Sequence, residues 1–195
     1  LKGSLINKMF GEYDTKFAQL KALLGYQYAH PGKKLNFMGV ELAQWNEWSE
    51  NRELDWSLLT YPKHDSHRCF VRDLNKTYAK YKPLYQNDAN WEGFKWLLAD
   101  DAQNSVLAFE RLDKRGNTVL VVINFSVYDY FNYGFCMDAG EYSLIINSDE
   151  YKYGGRGVNV GQTIVTDTNG YAEITIPASS VTYYYKPAKK SAKRK

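Results

Sequence analysis

Eight consecutive residues, Glu41-Leu42-Ala43-Gln44-Trp45-Asn46-Glu47-Trp48, put two carboxylates, two amides and two indoles into one short stretch, with Glu50 and Asp55 close behind. That mixture suits a sugar, whose C–H faces pack on an indole while its hydroxyls bond to in-plane acceptors. Paired carboxylates also suit glycoside chemistry, in which one protonates the leaving oxygen and the other attacks or activates water. The plainer alternative is that these tryptophans cap the end of a barrel and the acids are simply solvated.

Residues of this kind need a frame. Over Thr15 to Ala29, apolar side chains fall at Phe17, Leu20, Leu24 and Tyr28, with Ala18, Ala22 and Leu23 broadening the stripe, and this spacing predicts a helix capped by Asp14 or Thr15. His30-Pro31-Gly32 stops it, because Pro lacks a donor and disfavours helical geometry at the residue before it. Leu35 to Val40 is an apolar run of buried-strand length. The polar stretch 41–64 follows directly, carrying Trp45, Trp48 and Trp56, and in α/β barrels the segments after strands build the active-site face. A second helix is predicted from Asp65 to about Tyr85, with Pro83 near its stop. One strand in some ninety residues cannot close a parallel sheet, so either this segment packs on the β-domain in an unusual way or the rest of its sheet precedes Leu1.

After Asn87-Asp88-Ala89-Asn90 the periodicity changes. Short runs at Ser105 to Leu112, Thr118 to Phe125, Glu141 to Asn147, Gly161 to Thr166, Tyr171 to Ile176 and Val181 to Tyr185 predict a β-sandwich or barrel. Residues 113–117 read as a hairpin connection and Asn169-Gly170 as a two-residue turn. Ala108, Phe109, Val119, Val121 and Ile123 are the expected core. Ten of the 17 Tyr lie after position 127, and most of these are expected to pack between faces as strand residues; a second carbohydrate surface is the alternative.

Several function classes are disfavoured. The formal charge of +3 comes from six Lys and Arg within the last ten residues, and the body before them carries 19 basic and 22 acidic residues. Nucleic-acid binding needs its basic excess on the folded body, so 186–195 reads as a solvated, disordered tail. No stretch reaches the eighteen or so apolar residues of a membrane span, and the first thirty residues lack the pattern of a signal peptide. Cys69 and Cys136 form neither a disulfide framework nor a zinc motif, and His30, His64 and His67 make no metal constellation; structural or surface roles are expected of them. Ser4 and Ser66 lack a nucleophile-elbow context, and Gly154-Gly155-Arg156-Gly157 opens no helix that could cradle a phosphate.

Taken in order, Lys2-Gly3-Ser4, Lys16-Phe17-Ala18-Gln19-Leu20, Ala29-His30-Pro31-Gly32-Lys33-Lys34-Leu35, Phe37-Met38-Gly39 with Glu41 and Gln44, Glu47-Trp48, Leu54-Asp55-Trp56, Val71-Arg72-Asp73-Leu74-Asn75, Gly93-Phe94 with Trp96, and Asn104-Ser105-Val106 closely resemble one family. It is the 1,4-α-glucan (glycogen) branching enzymes of the α-amylase superfamily. The resemblance implies an α/β plus all-β fold, the C-terminal end of a (β/α)8 barrel followed by an antiparallel β-sandwich. Residues 1–86 would be the last part of the barrel, 87–185 the sandwich and 186–195 the tail. It also implies a retaining reaction, in which an α-1,4-glucan is cleaved and the segment passed to a 6-hydroxyl. No metal or organic cofactor is implied, and the location implied is cytoplasmic.

The same resemblance puts the three catalytic carboxylates upstream, the last of them in a His-Asp-Glu segment a few residues before Lys-Gly-Ser. None is therefore carried onto Glu41, Glu47 or Asp55, and the chain is expected to be inactive alone. Glu41, Gln44, Trp45 and Trp48 are the candidates for lining the substrate cleft. Val40 stands where the family usually has Asn, Leu42 where Phe is common, and Trp45-Asn46 where small or basic residues are familiar. The expected partners are an α-glucan and the N-terminal part of the barrel. The alternatives are a non-catalytic glucan-binding module and a fragment of an α-amylase-type hydrolase.

Overall fold

The computed structural model describes residues 3–189. Leu1, Lys2 and residues 190–195 of the expected tail lie outside the described residues. Two helices, α1 (Tyr13–Ala29) and α2 (Pro62–Lys80), are followed by eight strands: β1 (Phe94–Asp101), β2 (Val106–Leu112), β3 (Thr118–Asn124), β4 (Tyr130–Cys136), β5 (Glu141–Asn147), β6 (Thr163–Val165), β7 (Tyr171–Ile176) and β8 (Ser180–Lys186). All pairings are antiparallel. Six strands form one sheet in the order β1-β2-β3-β8-β5-β6, and β4 pairs with β7 in a separate ribbon.

Strand β3 lies in the middle of this sheet and is buried at every position. Its alternation decides the layering. Val119, Val121 and Ile123 join Val181 and Tyr183 of β8 against Phe17, Leu20 and Leu24 of α1 and Phe70 and Leu74 of α2. Leu120, Val122 and Tyr184 point the other way, onto Phe135, Ala172, Ile174 and Ile176 of the ribbon. The result is three layers: helices, sheet, ribbon. A strand covered on both faces reads as a continuous apolar run, and Thr118-Val-Leu-Val-Val-Ile is one. The helical and β parts of the sequence thus share one core.

Helix α1 lies close on β8 because Gly25 faces it. A Cβ there would come within 2.3 Å of Val181 Cγ1, and the Tyr183 hydroxyl, fully buried, donates to the Gly25 carbonyl. At the end of α1, the fully buried Arg111 guanidinium donates to the carbonyls of Ala29 and, at 3.1 Å, Gly93, and pairs with Asp88. Lys21, 3% exposed, donates to the carbonyls of Ser148 and Tyr153 at 2.8 Å each. Burial lowers its pKa to about 8. Two buried cations therefore clamp the helical layer to the sheet.

Several expectations need correction. Leu35 to Val40 form no strand; Leu35 is 74% exposed, and Phe37 and Met38 are exposed as well. A strand exists through its ladder, and among the described residues nothing lies alongside to pair with it. Helix α1 begins after Glu12, without a side-chain cap from Asp14 or Thr15, and α2 begins at Pro62, whose missing N–H costs nothing in the first turn. Asp167 and Tyr171 close a turn around Asn169-Gly170, but it carries the chain from one sheet to the other instead of joining paired strands. Lys186 is the last residue of β8, with its ammonium over the Tyr142 ring, and the Ala188 N–H donates to Asn117 Oδ1 at 2.9 Å, so the first part of the expected tail is held by the sheet.

Candidate functional site

The segment that carries the candidate residues is a short, tightly wound unit. Gly39 (φ 80°) and Ala43 (φ 52°), both left-handed, bracket the 3-10 turn Val40–Leu42, and the Gln44 N–H returns to the Gly39 carbonyl. Gly39 has a steric reason to be glycine: a Cβ would fall 2.2 Å from Gln44 Cδ. Ala43 holds a conformation that costs a non-glycine residue about 1 kcal/mol or more, which the surroundings must over-determine. They do so from two sides. The side-chain amide of Asn7 donates to the Trp45 carbonyl at 2.6 Å, and His64 and His67 of α2 bond to the carbonyls of Leu42 and Val40.

The four candidate residues part company here. Gln44 and Trp48 line one cleft of about 590 Å3 together with Phe37, Met38 and Asn46. Gln44 is buried, and its Oε1, enclosed and without a hydrogen-bond partner, lies against Gly39 behind the cleft wall. Trp48 is 40% exposed and meets Phe37 edge-on at 5.5 Å. Trp45 is different: its ring stacks on Tyr13 at 5.9 Å and meets Phe17 and His64 edge-on at 6.2 Å, and it does not line the cleft. Its role is to anchor the segment to α1 and α2. Glu41 lies on the other side of the turn, in a separate pocket with Tyr28, Lys34 and Asn75. In that pocket, burial raises the Tyr28 phenol and lowers the Lys34 ammonium to about 8.

Of the acids beyond Trp48, Asp55 is engaged locally. Asp55 accepts from the Asn46 amide at 2.9 Å, and Arg52 donates to the Glu47 carbonyl at 2.8 Å, which folds residues 46–55 back on themselves. Among the described residues no group of three His, Cys, Asp or Glu could hold a metal ion, and no helix is long and apolar enough to cross a membrane. Of the clustered tyrosines, Tyr183 and Tyr184 are fully buried and Tyr153 nearly so, while Tyr128 and Tyr151 are exposed. Sequence reasoning missed the histidines as loop anchors. The signal was their i, i+3 spacing on the same helical stripe as Phe70, Val71 and Leu74.

Comparison with known proteins decides among the fold classes. Residues 96–187 match the family described as the alpha amylase C-terminal all-beta domain. The six-stranded sheet and ribbon are thus similar to that all-beta domain, and the matched stretch begins within two residues of the start of β1. In sequence the chain is similar to the 1,4-alpha-glucan branching enzyme GlgB of Aliivibrio fischeri, 43% identical over 190 residues, covering 94% of this chain and 27% of that protein. The GlgB of Photobacterium profundum is 45% identical over 166 residues (85% and 23%), and the GlgB 1 of Rhizobium johnstonii 46% over 180 (90% and 24%). The chain thus spans about a quarter of the length of the curated relatives it matches. The crystal structure of an Anoxybacillus alpha-amylase superposes with a TM-score of 0.59 at 18% identity, covering 91% of this chain and 34% of that one. That likeness speaks for the fold, and it extends beyond the all-beta domain into the helical layer.

Proposed function

We propose that the chain is the C-terminal part of a 1,4-α-glucan branching enzyme of glycogen biosynthesis, a glycosyltransferase whose catalytic carboxylates lie in the portion that precedes this one. The observation that carries the reading is 43–46% identity over 85–94% of the chain to proteins named as branching enzymes. In this reading residues 1–86 are the end of a (β/α)8 barrel and 87–185 its β-sandwich. Leu35, Phe37 and Met38, exposed in the chain alone, are the seat of the neighbouring barrel strands. The partners are then the N-terminal part of the barrel and an α-glucan; nucleic acid and membrane have no place in the account. The two free cysteines, Cys69 and Cys136, suit the reducing cytoplasm in which the enzyme would work.

Chemically, the C1–O4 bond of an α-1,4 linkage breaks, a C1–O6 bond forms on the acceptor, and the 6-hydroxyl proton is passed to the departing O4. Gln44 and Trp48 serve this reaction as cleft wall: the buried amide shapes the wall and the half-exposed indole covers a sugar face. Transfer conserves reducing ends, whereas hydrolysis by an amylase-type enzyme adds one for every cut. With amylose as substrate, the full-length protein containing this chain is expected to abolish iodine staining of long chains without a rise in reducing ends. A stoichiometric rise would move the assignment to a hydrolase. A chain that is retained on glycogen but changes neither quantity, even at full length, would make it a binding module.

A further inference from the structure

Two buried histidines stand behind the cleft wall, and their hydrogen bonds go to its backbone. His64 and His67, 2% and 1% exposed, lie one turn apart on α2. His64 Nδ1 is 2.7 Å from the Leu42 carbonyl and His67 Nε2 is 3.0 Å from the Val40 carbonyl, so two acceptors of the same 3-10 turn are held by one helix face. Phe17 meets both imidazoles edge-on, at 4.9 and 6.1 Å, and fixes their ring planes. A carbonyl can only accept, so each ring must carry its proton on the bonding nitrogen: Nδ1–H in His64, Nε2–H in His67. His67 Nδ1 is then a bare acceptor, buried without a partner. Burial, with Lys21 and His64 as its charged or titratable neighbours, lowers the His67 pKa to about 3, and the ring remains a neutral donor at working pH.

We infer that His64 and His67 form a positioning clamp that sets the depth of the Val40–Leu42 turn and thereby the position of Gln44 in the cleft wall. The coupling is mechanical. Gln44 packs on Gly39 at one end of the turn and follows Ala43, left-handed, at the other, so a shift of the Val40 and Leu42 carbonyls moves its amide directly. This inference rests on the reading of the cleft as a glucan site, and it names residues that act through Gln44 without touching substrate.

The test is a double-mutant cycle in the full-length enzyme, with initial rates measured against amylose. Gln44→Ala and His67→Leu are each expected to raise KM several-fold with kcat little changed, and the double variant to be no worse than about one of them alone, since groups linked through one backbone shift couple. His67→Gln, which can put an amide N–H near the same carbonyl, is expected to restore KM to within about twofold, and His64→Asn to do the same relative to His64→Leu. Additive effects, or failure of the amide variants to rescue folded protein, would overturn the clamp. If wild-type full-length protein forms no branches, the glucan reading itself fails, and the clamp is then decided by nitrogen NMR of the wild-type chain. Nδ1–H for His64 with Nε2–H for His67 supports it, and either opposite tautomer refutes it.

Discussion

At the scale of single residues, His67 separates what composition can say from what position adds. Its imidazole is buried and held neutral far below the usual histidine range, so the unfolded chain takes up a proton near pH 6.5 that the folded chain refuses until about pH 3. The unfolded state therefore binds more protons over that window, and stability falls as the solution is acidified through it. We predict that wild type loses about 1.4 kcal/mol per pH unit more than His67→Gln below pH 6, measured by urea unfolding at pH 6.0, 5.5, 5.0 and 4.5. Equal slopes would mean that the ring protonates in place. Glu110, buried and raised by desolvation, contributes with the opposite sign, favouring the fold at low pH, but it is common to both proteins and drops out of the comparison. Residue types alone could nominate Gln44 and Trp48, but not separate them from Trp45. All three lie in one polar, aromatic stretch, and only the packing of Trp45 on Tyr13, Phe17 and His64 takes it away from the cleft.

Elements were legible where one face is dry and opaque where neither is. Helices α1 and α2 carry apolar side chains at helical spacing, strands β2, β3, β5, β7 and β8 carry them as short alternating or continuous runs, and their positions follow from this. Strands β1 and β4 do not. Phe94–Asp101 alternates weakly and bulges twice against β2, and Tyr130–Cys136 is largely solvent-facing with a register shift against β7. Their reason to be strands lies in their partners. The Leu35 to Val40 run shows the converse, a strand pattern with no ladder to join. Contact between elements also hides in small residues. Ala at position 25 would favour the helix by about 1 kcal/mol on propensity, yet its Cβ would meet Val181, and overpacking of that kind costs about 1–3 kcal/mol. Gly25→Ala is thus expected to lower the thermal midpoint, and adding Val181→Ala to recover part of the loss. A midpoint raised by Gly25→Ala alone would show that α1 does not press on β8.

For the whole molecule, helices and sheet share one core, while the helical layer also carries exposed apolar side chains. Phe10, Leu35, Phe37 and Met38 are between 48% and 74% exposed, and an apolar surface of this kind marks a site of association. The isolated chain is expected to self-associate at tens of micromolar in sedimentation velocity, and Leu35→Lys with Phe37→Glu to shift it toward monomer. A monomeric wild type at all concentrations would count against an interface there. The proposal that this chain is the C-terminal part of a branching enzyme is tested by product linkage. Full-length protein, incubated with linear amylose, is examined by proton NMR of the anomeric region and by debranching with isoamylase. New α-1,6 linkages are expected at constant reducing-end content, and none from residues 1–195 alone. Shortened linear chains with no α-1,6 signal would contradict the proposal.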